Sequence, residues 1–131
     1  IATGGNAVPF GELSVAAYGA SGGTSSSTRG IFANLSVSPG TRQNIIEYIT
    51  IATLGNTTDF GDMTSARAGG GTGNSTRGIF MGGSTNPSGA ASNTIDVITI
   101  ASAGNASDFG DLLFAGRYAS TVSDSHGGLA Q

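Results

Sequence analysis

Two copies of the triplet Asp-Phe-Gly are the first feature of this sequence that could carry chemistry. They begin at Asp59 and Asp108, and a further Asp follows each triplet directly. In protein kinases such a triplet holds Mg²⁺, but it acts there together with a strand Lys and a His-Arg-Asp loop. This chain contains no Lys and no His-Arg-Asp sequence. We therefore interpret the triplet as a turn in which Asp caps, Phe anchors and Gly supplies a positive φ.

The carboxylates around these turns could also offer oxygen ligands to Ca²⁺. The candidate ligands in the second and third copies are Asn56, Asp59, Asp62, Asn105, Asp108 and Asp111. The first copy has Pro9 and Glu12 in place of the two Asp residues, and no spacing matches an EF-hand loop. Turn chemistry accounts for the same residues, so we predict no metal ion and no cofactor, with Ca²⁺ as the alternative.

Three further features lack the partners that chemistry would need. Residues 69–74, Gly-Gly-Gly-Thr-Gly-Asn, lack the Gly-Lys-Ser/Thr of a phosphate-binding loop, so we expect a tight strand or loop. The repeated Arg29 and Arg77 are expected to pair with carboxylates or backbone carbonyls inside the repeat, with a ligand-facing role as the alternative. His126 is the single His, and no cluster of catalytic residue types accompanies it. We therefore predict that the chain is not an enzyme.

A tandem repeat positions all of these residues. Residues 46–62 return as residues 95–111, and residues 1–12 match residues 51–62. Because residue 1 matches residue 51 and residue 51 matches residue 100, the period is about 50 residues. The predicted copies cover approximately residues 1–50, 51–99 and 100–131 of a single repeat domain.

Each copy has the composition of short strands. β-Branched and aromatic residues are concentrated at residues 46–51, 79–81 and 95–100, so we predict strands there. Both faces of the first of these strands carry apolar groups, which is typical of stacked sheets. Gly, Ser, Thr and Asn are scattered too densely for a helix of useful length, and no apolar 3.6-residue period persists. The predicted class is all-β.

One large aromatic residue recurs at a matching position in each copy. Phe10, Phe60 and Phe109 are these residues, and we predict that each is buried between neighbouring sheets. Small residues predominate at residues 16–23 and 68–73, and they would allow neighbouring strands to approach closely. The predicted core is therefore a set of aromatic anchors between sheets that meet along small-residue strands.

The order of these landmarks resembles the kelch repeat. In that family an Arg precedes a small-residue strand, an apolar strand ends in Gly-Gly, and a later strand opens with Trp. Here Arg67, the pair Gly82 and Gly83, and then Phe109 follow in that order, while residues 33–35, Ala-Asn-Leu, replace the glycine pair in the first copy. The resemblance implies kelch-like β-propeller blades, about three four-stranded repeats, with incomplete blades at both ends.

The exact sequence of the repeat resembles a more specific group of proteins. The sequence Ile-Thr-Ile-Ala-(Ser/Thr)-x-Gly-Asn-x-x-Asp-Phe-Gly-Asp, followed by Ser-Thr-Arg-Gly-Ile-Phe, is similar to kelch-like repeats in virion structural proteins of tailed phages, those of cyanophages in particular. The resemblance implies a non-enzymatic structural component of a virion appendage or surface, with a virion or extracellular location. The implied partners are copies of the chain itself or other virion proteins. A glycan- or receptor-binding module that contacts cell-surface glycan, and a subunit of an extracellular filament, are the alternatives.

Composition narrows the range of partners. The chain has five Arg, eight acidic residues and a net charge of −3, without a basic cluster. This balance argues against nucleic acid and anionic membranes as partners. No apolar run approaches the roughly 18 residues that span a bilayer. The chain has no Cys, so neither a disulfide framework nor thiolate chemistry is expected.

Both ends of the sequence fall inside a repeat. Residues 1–3 match the end of a third strand, and residues 126–129 match the inside of a second strand. We expect either that copies of the chain associate, so that a neighbour's strand completes an end repeat, or that further repeats precede residue 1. Four Asn-x-Ser/Thr sequences matter only if the host modifies secreted Asn, and they begin at Asn34, Asn56, Asn74 and Asn105.

Overall fold

The computed structural model describes residues 5–38, 41–86 and 88–123, and all regular structure within them is β-strand. The strands are β1 (Gly19–Ser25), β2 (Arg29–Ser38), β3 (Thr41–Arg42), β4 (Ile45–Thr50), β5 (Thr58–Asp62), β6 (Arg67–Gly73), β7 (Arg77–Thr85), β8 (Ser92–Thr99) and β9 (Ser107–Gly116). The predicted strands at residues 46–51, 79–81 and 95–100 are confirmed as β4, β7 and β8. The all-β class is confirmed as well.

The strands form two antiparallel sheets. Sheet A has the order β1–β2–β4–β5, with the short β3 paired to β2, and sheet B has the order β6–β7–β8–β9. The two sheets repeat each other, because β2 begins at Arg29 and β7 at Arg77, while β5 begins at Thr58 and β9 at Ser107. The copy boundaries assigned from the sequence therefore fall between β4 and β5 in sheet A and between β8 and β9 in sheet B.

The hydrophobic core lies between the two sheets. Ile31 of β2 pairs with Tyr48 of β4, so both side chains share the face of sheet A that meets sheet B. Phe80 and Ile98 of sheet B are buried in the same cluster. Its other buried members are Ala33, Ile46, Phe60, Met63 and Ile100. The packing of successive sheets is thus what buries the apolar residues of the repeat.

A β-bulge in each sheet sets the position of the repeated Phe. In sheet A, Ile46 pairs with Gly61 and Glu47 pairs with Asp59, which leaves Phe60 as the extra residue on β5. Gly61 has a φ of 141°, and its N–H donates to Oδ1 of Asp59 at 3.0 Å. Asp59 and Gly61 therefore have the predicted capping and positive-φ roles, but within a β-bulge of β5 and not in a turn between strands. A bulge twists its strand and re-aims a side chain, and here Phe60 enters the core.

The missing glycine pair of the first copy has a simple structural substitute. Gly82 has a φ of 60°, and Asn34, at the equivalent point of β2, has the same φ of 60°. Asn is one of the few residues other than Gly that adopt this left-handed conformation readily. Gly83 has a φ of 104°, and a Cβ added there would collide with the backbone of Ala68. In sheet B the first position thus requires a left-handed backbone, whereas the second also has no room for a side chain. In sheet A the equivalent second position holds the buried Leu35.

A buried ion pair joins the strands of sheet B. Nη1 of Arg67 lies 3.0 Å from Oδ2 of Asp96, and both side chains are fully buried. Nη2 of Arg67 also donates to the carbonyl of Phe80 at 3.2 Å, so one guanidinium connects β6, β7 and β8. Asp96 accepts two further hydrogen bonds from Thr64, from its backbone N–H at 3.1 Å and from its hydroxyl at 2.7 Å. The carboxylate therefore has the partners that burial of a charge demands.

Sheet A buries a carboxylate at the same place with different partners. Glu47 corresponds to Asp96, but neither β1 nor residues 13–18 before it contain an Arg. Oε2 of Glu47 accepts from the hydroxyl of Thr57 at 2.8 Å and from the backbone N–H of Ser14 at 3.3 Å, and Oε1 accepts from the hydroxyl of Ser14. Neutral donors thus replace the Arg. A carboxylate opposite the bulge is a feature of both sheets.

The two glycines of the pair should respond differently to substitution. We expect Gly82→Asn to lower the free energy of unfolding by less than about 1 kcal/mol, because Asn34 already adopts the same backbone conformation. We expect Gly83→Ala to cost at least about 2 kcal/mol, because φ strain of order 1–3 kcal/mol adds to the collision with Ala68. Urea unfolding of both variants measures this, and equal costs would contradict it.

Candidate functional site

The repeated Phe residues differ in burial, and this difference locates the site. Phe60 is 3 % exposed and meets the ring of Tyr48 edge-to-face at 6.0 Å. Phe10 is partly buried. Phe109 is 56 % exposed, so the prediction that it is buried is wrong for this chain. The physical reason is that sheet B covers Phe60, whereas no third sheet lies over Phe109 among the described residues. The role of the three as repeat anchors remains a prediction.

Backbone hydrogen bonds join β5 of sheet A to the turn that follows β8 in sheet B. The N–H of Gly104 donates to the carbonyl of Phe60 at 2.6 Å, and the N–H of Ala106 donates to the carbonyl of Asp62 at 2.8 Å. In return, the N–H of Asp62 donates to Oδ1 of Asn105 at 3.0 Å. We call residues 60–62 a docking strand and residues 104–106 a Gly-Asn turn, and we apply the same names to the equivalent residues elsewhere.

The same three bonds occur one repeat earlier. The N–H of Gly55 donates to the carbonyl of Phe10, and the N–H of Thr57 donates to the carbonyl of Glu12, both at 2.9 Å. The N–H of Glu12 donates to Oδ1 of Asn56 at 3.1 Å. Residues 10–12 are therefore a docking strand for sheet A, although they lie outside both sheets. The sequence repeat shows the Gly-Asn and Phe-Gly-Asp pieces, but it does not show that they bind each other.

The docking strand needs a glycine at its centre because the turn approaches it closely. A Cβ added at Gly61 would lie 2.5 Å from the carbonyl atoms of Gly104. A Cβ at Gly11 would likewise collide with the backbone of Gly55. Gly110 is the equivalent residue of the third copy, and nothing lies within 4 Å of its Cβ position. The Gly of Asp-Phe-Gly thus serves both the bulge and the contact between repeats.

The first strands of the two sheets also meet closely. A Cβ added at Gly71 of β6 would lie 2.7 Å from the backbone nitrogen of Gly23 in β1. Asn34 donates from Nδ2 to the carbonyl of Gly69 at 2.9 Å, which adds a polar bond to this contact. The prediction that small residues allow close approach is therefore confirmed at residues 23 and 71. Residues 69–73 lie in β6, as the tight-strand interpretation of the glycine-rich sequence expected.

Residues after β9 continue this series of first strands. The hydroxyl of Thr121 donates to the carbonyl of Gly71, and the hydroxyl of Ser123 donates to the carbonyl of Gly73, both at 2.6 Å. Thr72 donates from its hydroxyl to the carbonyl of Val122 at 2.8 Å. Residues 121–123 therefore lie against β6 much as β6 lies against β1, and they occupy the place of the first strand of a third repeat.

The repeated Arg residues have different surroundings. Nη1 of Arg29 donates to the carbonyl of Ile100 at 2.8 Å, and its guanidinium carbon lies 4.5 Å from the ring centroid of Tyr48. The prediction of a backbone carbonyl partner is confirmed, but the carbonyl directly follows β8 of sheet B and lies outside the Arg's own repeat. Arg77 is exposed. It stands at the same point of sheet B as Arg29 in sheet A.

The other candidate chemical groups take part in local structure. Asp108 repeats the capping role of Asp59, because its Oδ1 accepts from the N–H of Gly110 at 2.8 Å. Asn74 accepts from the N–H of Thr76 at 2.9 Å, while Asn34 is fully buried. Within residues 5–38, 41–86 and 88–123, no three His, Cys, Asp or Glu residues are grouped as a metal site would require. His126 lies outside the described residues.

Comparison with known proteins gives no assignment. No protein-family model matches the chain, and no curated protein matches it. In the described part of the chain, no helix is long and apolar enough to cross a membrane.

An exposed apolar surface follows the last docking strand. Its large residues are Phe109, Leu113, Phe114, Tyr118 and Val122. Beside it, Tyr118 and Arg117 line a shallow cavity of about 310 Å³ together with Arg42 and Ser84. Exposed apolar side chains concentrated in one stretch of chain favour a surface that binds partners. The candidate functional site is therefore this end of sheet B, with the docking strand of residues 109–111 at its edge.

The matched positions Phe60 and Phe109 give a direct test of the contact between sheets. We expect Phe60→Ala to lower the free energy of unfolding by about 3–5 kcal/mol, because it leaves a cavity in the core. We expect Phe109→Ala to change the same quantity by no more than roughly 0.5 kcal/mol in the dissociated chain, because that ring is mostly in solvent. Urea titration at low protein concentration provides both values. A near-neutral Phe60→Ala would reject the assignment.

Proposed function

We propose that the chain is a non-enzymatic structural module of kelch-like repeats that builds an appendage or surface of a virus particle. One observation carries the structural part of this proposal. The same three hydrogen bonds join a docking strand to a Gly-Asn turn at two successive junctions, at residues 10–12 and at residues 60–62. A contact that recurs once per repeat is suited to extended assemblies. The virion location rests on the resemblance of the repeated sequence.

The polar side chains that could carry chemistry support the structural role. Asp59 and Asp108 hold their bulges, and Asn56 and Asn105 hold the junctions between repeats. Glu47 and Asp96 are buried with hydrogen-bond donors from neighbouring segments. Each of these groups is thus accounted for by the fold.

Receptor binding is the second candidate function, and one observation favours it. Tyr118 is an exposed aromatic residue at the rim of the shallow cavity that Arg117 also lines. An exposed aromatic ring beside charged and hydroxyl groups is a surface on which a sugar can stack. The two candidates predict different positions on a particle, because a receptor-binding module belongs at the tip of an appendage and a structural module belongs along it.

Immunogold labelling tests the proposed function. Antibodies raised against the 131-residue chain are applied to virus particles purified from the source culture, with pre-immune serum as the control. We expect gold along an appendage or on the particle surface in electron micrographs. Gold confined to the appendage tip would favour receptor binding, and particles that stay unlabelled while host cells are labelled would overturn the proposal.

A further inference from the structure

The third docking strand, residues 109–111, has no Gly-Asn turn bound to it among the described residues. Asp111 is exposed, as is Phe109, whereas Phe60 is buried at the equivalent place. A Cβ at Gly110 would meet nothing within 4 Å, although one at Gly61 would collide with the docked turn. The backbone of residues 109–111 therefore has the conformation of a docking strand, with a φ of 138° at Gly110 against 141° at Gly61, and no described residue occupies the space beside Gly110.

The other end of the described chain carries the complementary piece. Residues 5–7 read Gly-Asn-Ala, which is identical to residues 104–106. Gly5, Asn6 and Ala7 are all exposed, and nothing lies within 4 Å of a Cβ built at Gly5. Since residues 5–7 precede the docking strand that binds sheet A, they stand one repeat before the turn of residues 55–57.

We propose that residues 109–111 of one chain dock onto the Gly-Asn turn at residues 5–7 of a second copy of the same chain. The geometry of the two internal junctions specifies the bonds. The N–H of Gly5 donates to the carbonyl of Phe109, and the N–H of Ala7 donates to the carbonyl of Asp111. The N–H of Asp111 donates to Oδ1 of Asn6. This inference rests on the proposed structural function and names the partner and the contact that it requires.

The two pieces do not close on each other within one chain. Residues 10–12 bind the side of sheet A that faces away from sheet B, and residues 109–111 lie on the side of sheet B that faces away from sheet A. A contact between unlike ends of identical chains is heterologous, and it leaves one free turn and one free docking strand on every dimer. Head-to-tail growth into chains or rings follows.

The proposed contact would also add two strands of a further repeat. Residues 121–123 of the first copy already lie where a first strand belongs, against β6. Residues 5–12 of the second copy would add the turn and the fourth strand of the same repeat. These first and fourth strands would lie along the two edges of the outer face of sheet B, where Ile79, Met81, Ile95 and Val97 are only partly buried. Their counterparts in sheet A face the core between the sheets.

Two variants block one end each without touching the internal junctions. The head variant combines Asn6→Ala with Ala7→Pro, which removes one acceptor and one donor of the turn. The tail variant is Phe109→Ser. The control variants Asn93→Ala and Leu54→Ala alter an exposed Asn and an exposed apolar residue away from the proposed contact. Circular dichroism and thermal melting at low concentration establish that all four fold like the parent chain.

Sedimentation velocity over a concentration series tests the proposal. We expect the parent chain and both controls to associate with rising concentration, and each blocked variant to raise the dissociation constant at least about tenfold, as loss of an apolar anchor or two hydrogen bonds predicts. An equimolar mixture of the head and tail variants should regain parent-like affinity through its one intact pair of ends. That mixture should stop at a dimer.

Three results would overturn the proposal. They are a parent chain that stays monomeric, blocked variants that associate like the controls, and a mixture that remains monomeric while the parent associates. Particle labelling with a monomeric chain would keep the proposed function and remove only this inference. Association of the parent chain without particle labelling would keep this inference and remove the proposed function.

Discussion

The rest of the structure depends on the hydrogen-bonded contact between a docking strand and the Gly-Asn turn of the following repeat. A four-stranded sheet of about 45 residues cannot bury both of its faces alone, so its apolar side chains need a neighbouring sheet. The three bonds at Phe60, Asp62 and Asn105 fix where that neighbour lies. Because they involve backbone groups and one Asn, the contact can recur at each repeat while most side chains vary.

Burial of a carboxylate behind each bulge is the second constraint. Glu47 and Asp96 each bind a hydroxyl from a segment that precedes their own sheet, Ser14 in one case and Thr64 in the other. These bonds attach the connection between repeats to the sheet that follows it. Arg67 strengthens this arrangement in sheet B, and sheet A, whose β1 has no Arg, shows that the repeat also folds without one. Removing one partner of a buried ion pair is strongly destabilising, so the two sheets should tolerate different substitutions.

Local composition is enough to predict the strands, the all-β class and the positive φ of Gly61, but it does not show that Asp59 lies in a strand bulge and not in a turn. It did not predict the exposure of Phe109, because burial of this residue depends on a sheet that the described chain lacks. The partner of Arg29 was placed in the wrong repeat for a related reason, since a sequence repeat does not show which copies touch. The sequence shows that residues 33–35 replace the glycine pair in the first copy, but not that the left-handed backbone of Asn34 is what makes this replacement possible.

Amide hydrogen exchange of the dissociated chain measures the central contact most directly. At low protein concentration, the N–H groups of Gly104, Ala106 and Asp62 should be protected, because each donates across the junction between the sheets. The matching N–H groups of Gly5 and Ala7 should exchange at rates near those of an unstructured peptide, because their turn has no docking strand beside it. Equal exchange rates at Gly104 and Gly5, and at Ala106 and Ala7, would contradict the account.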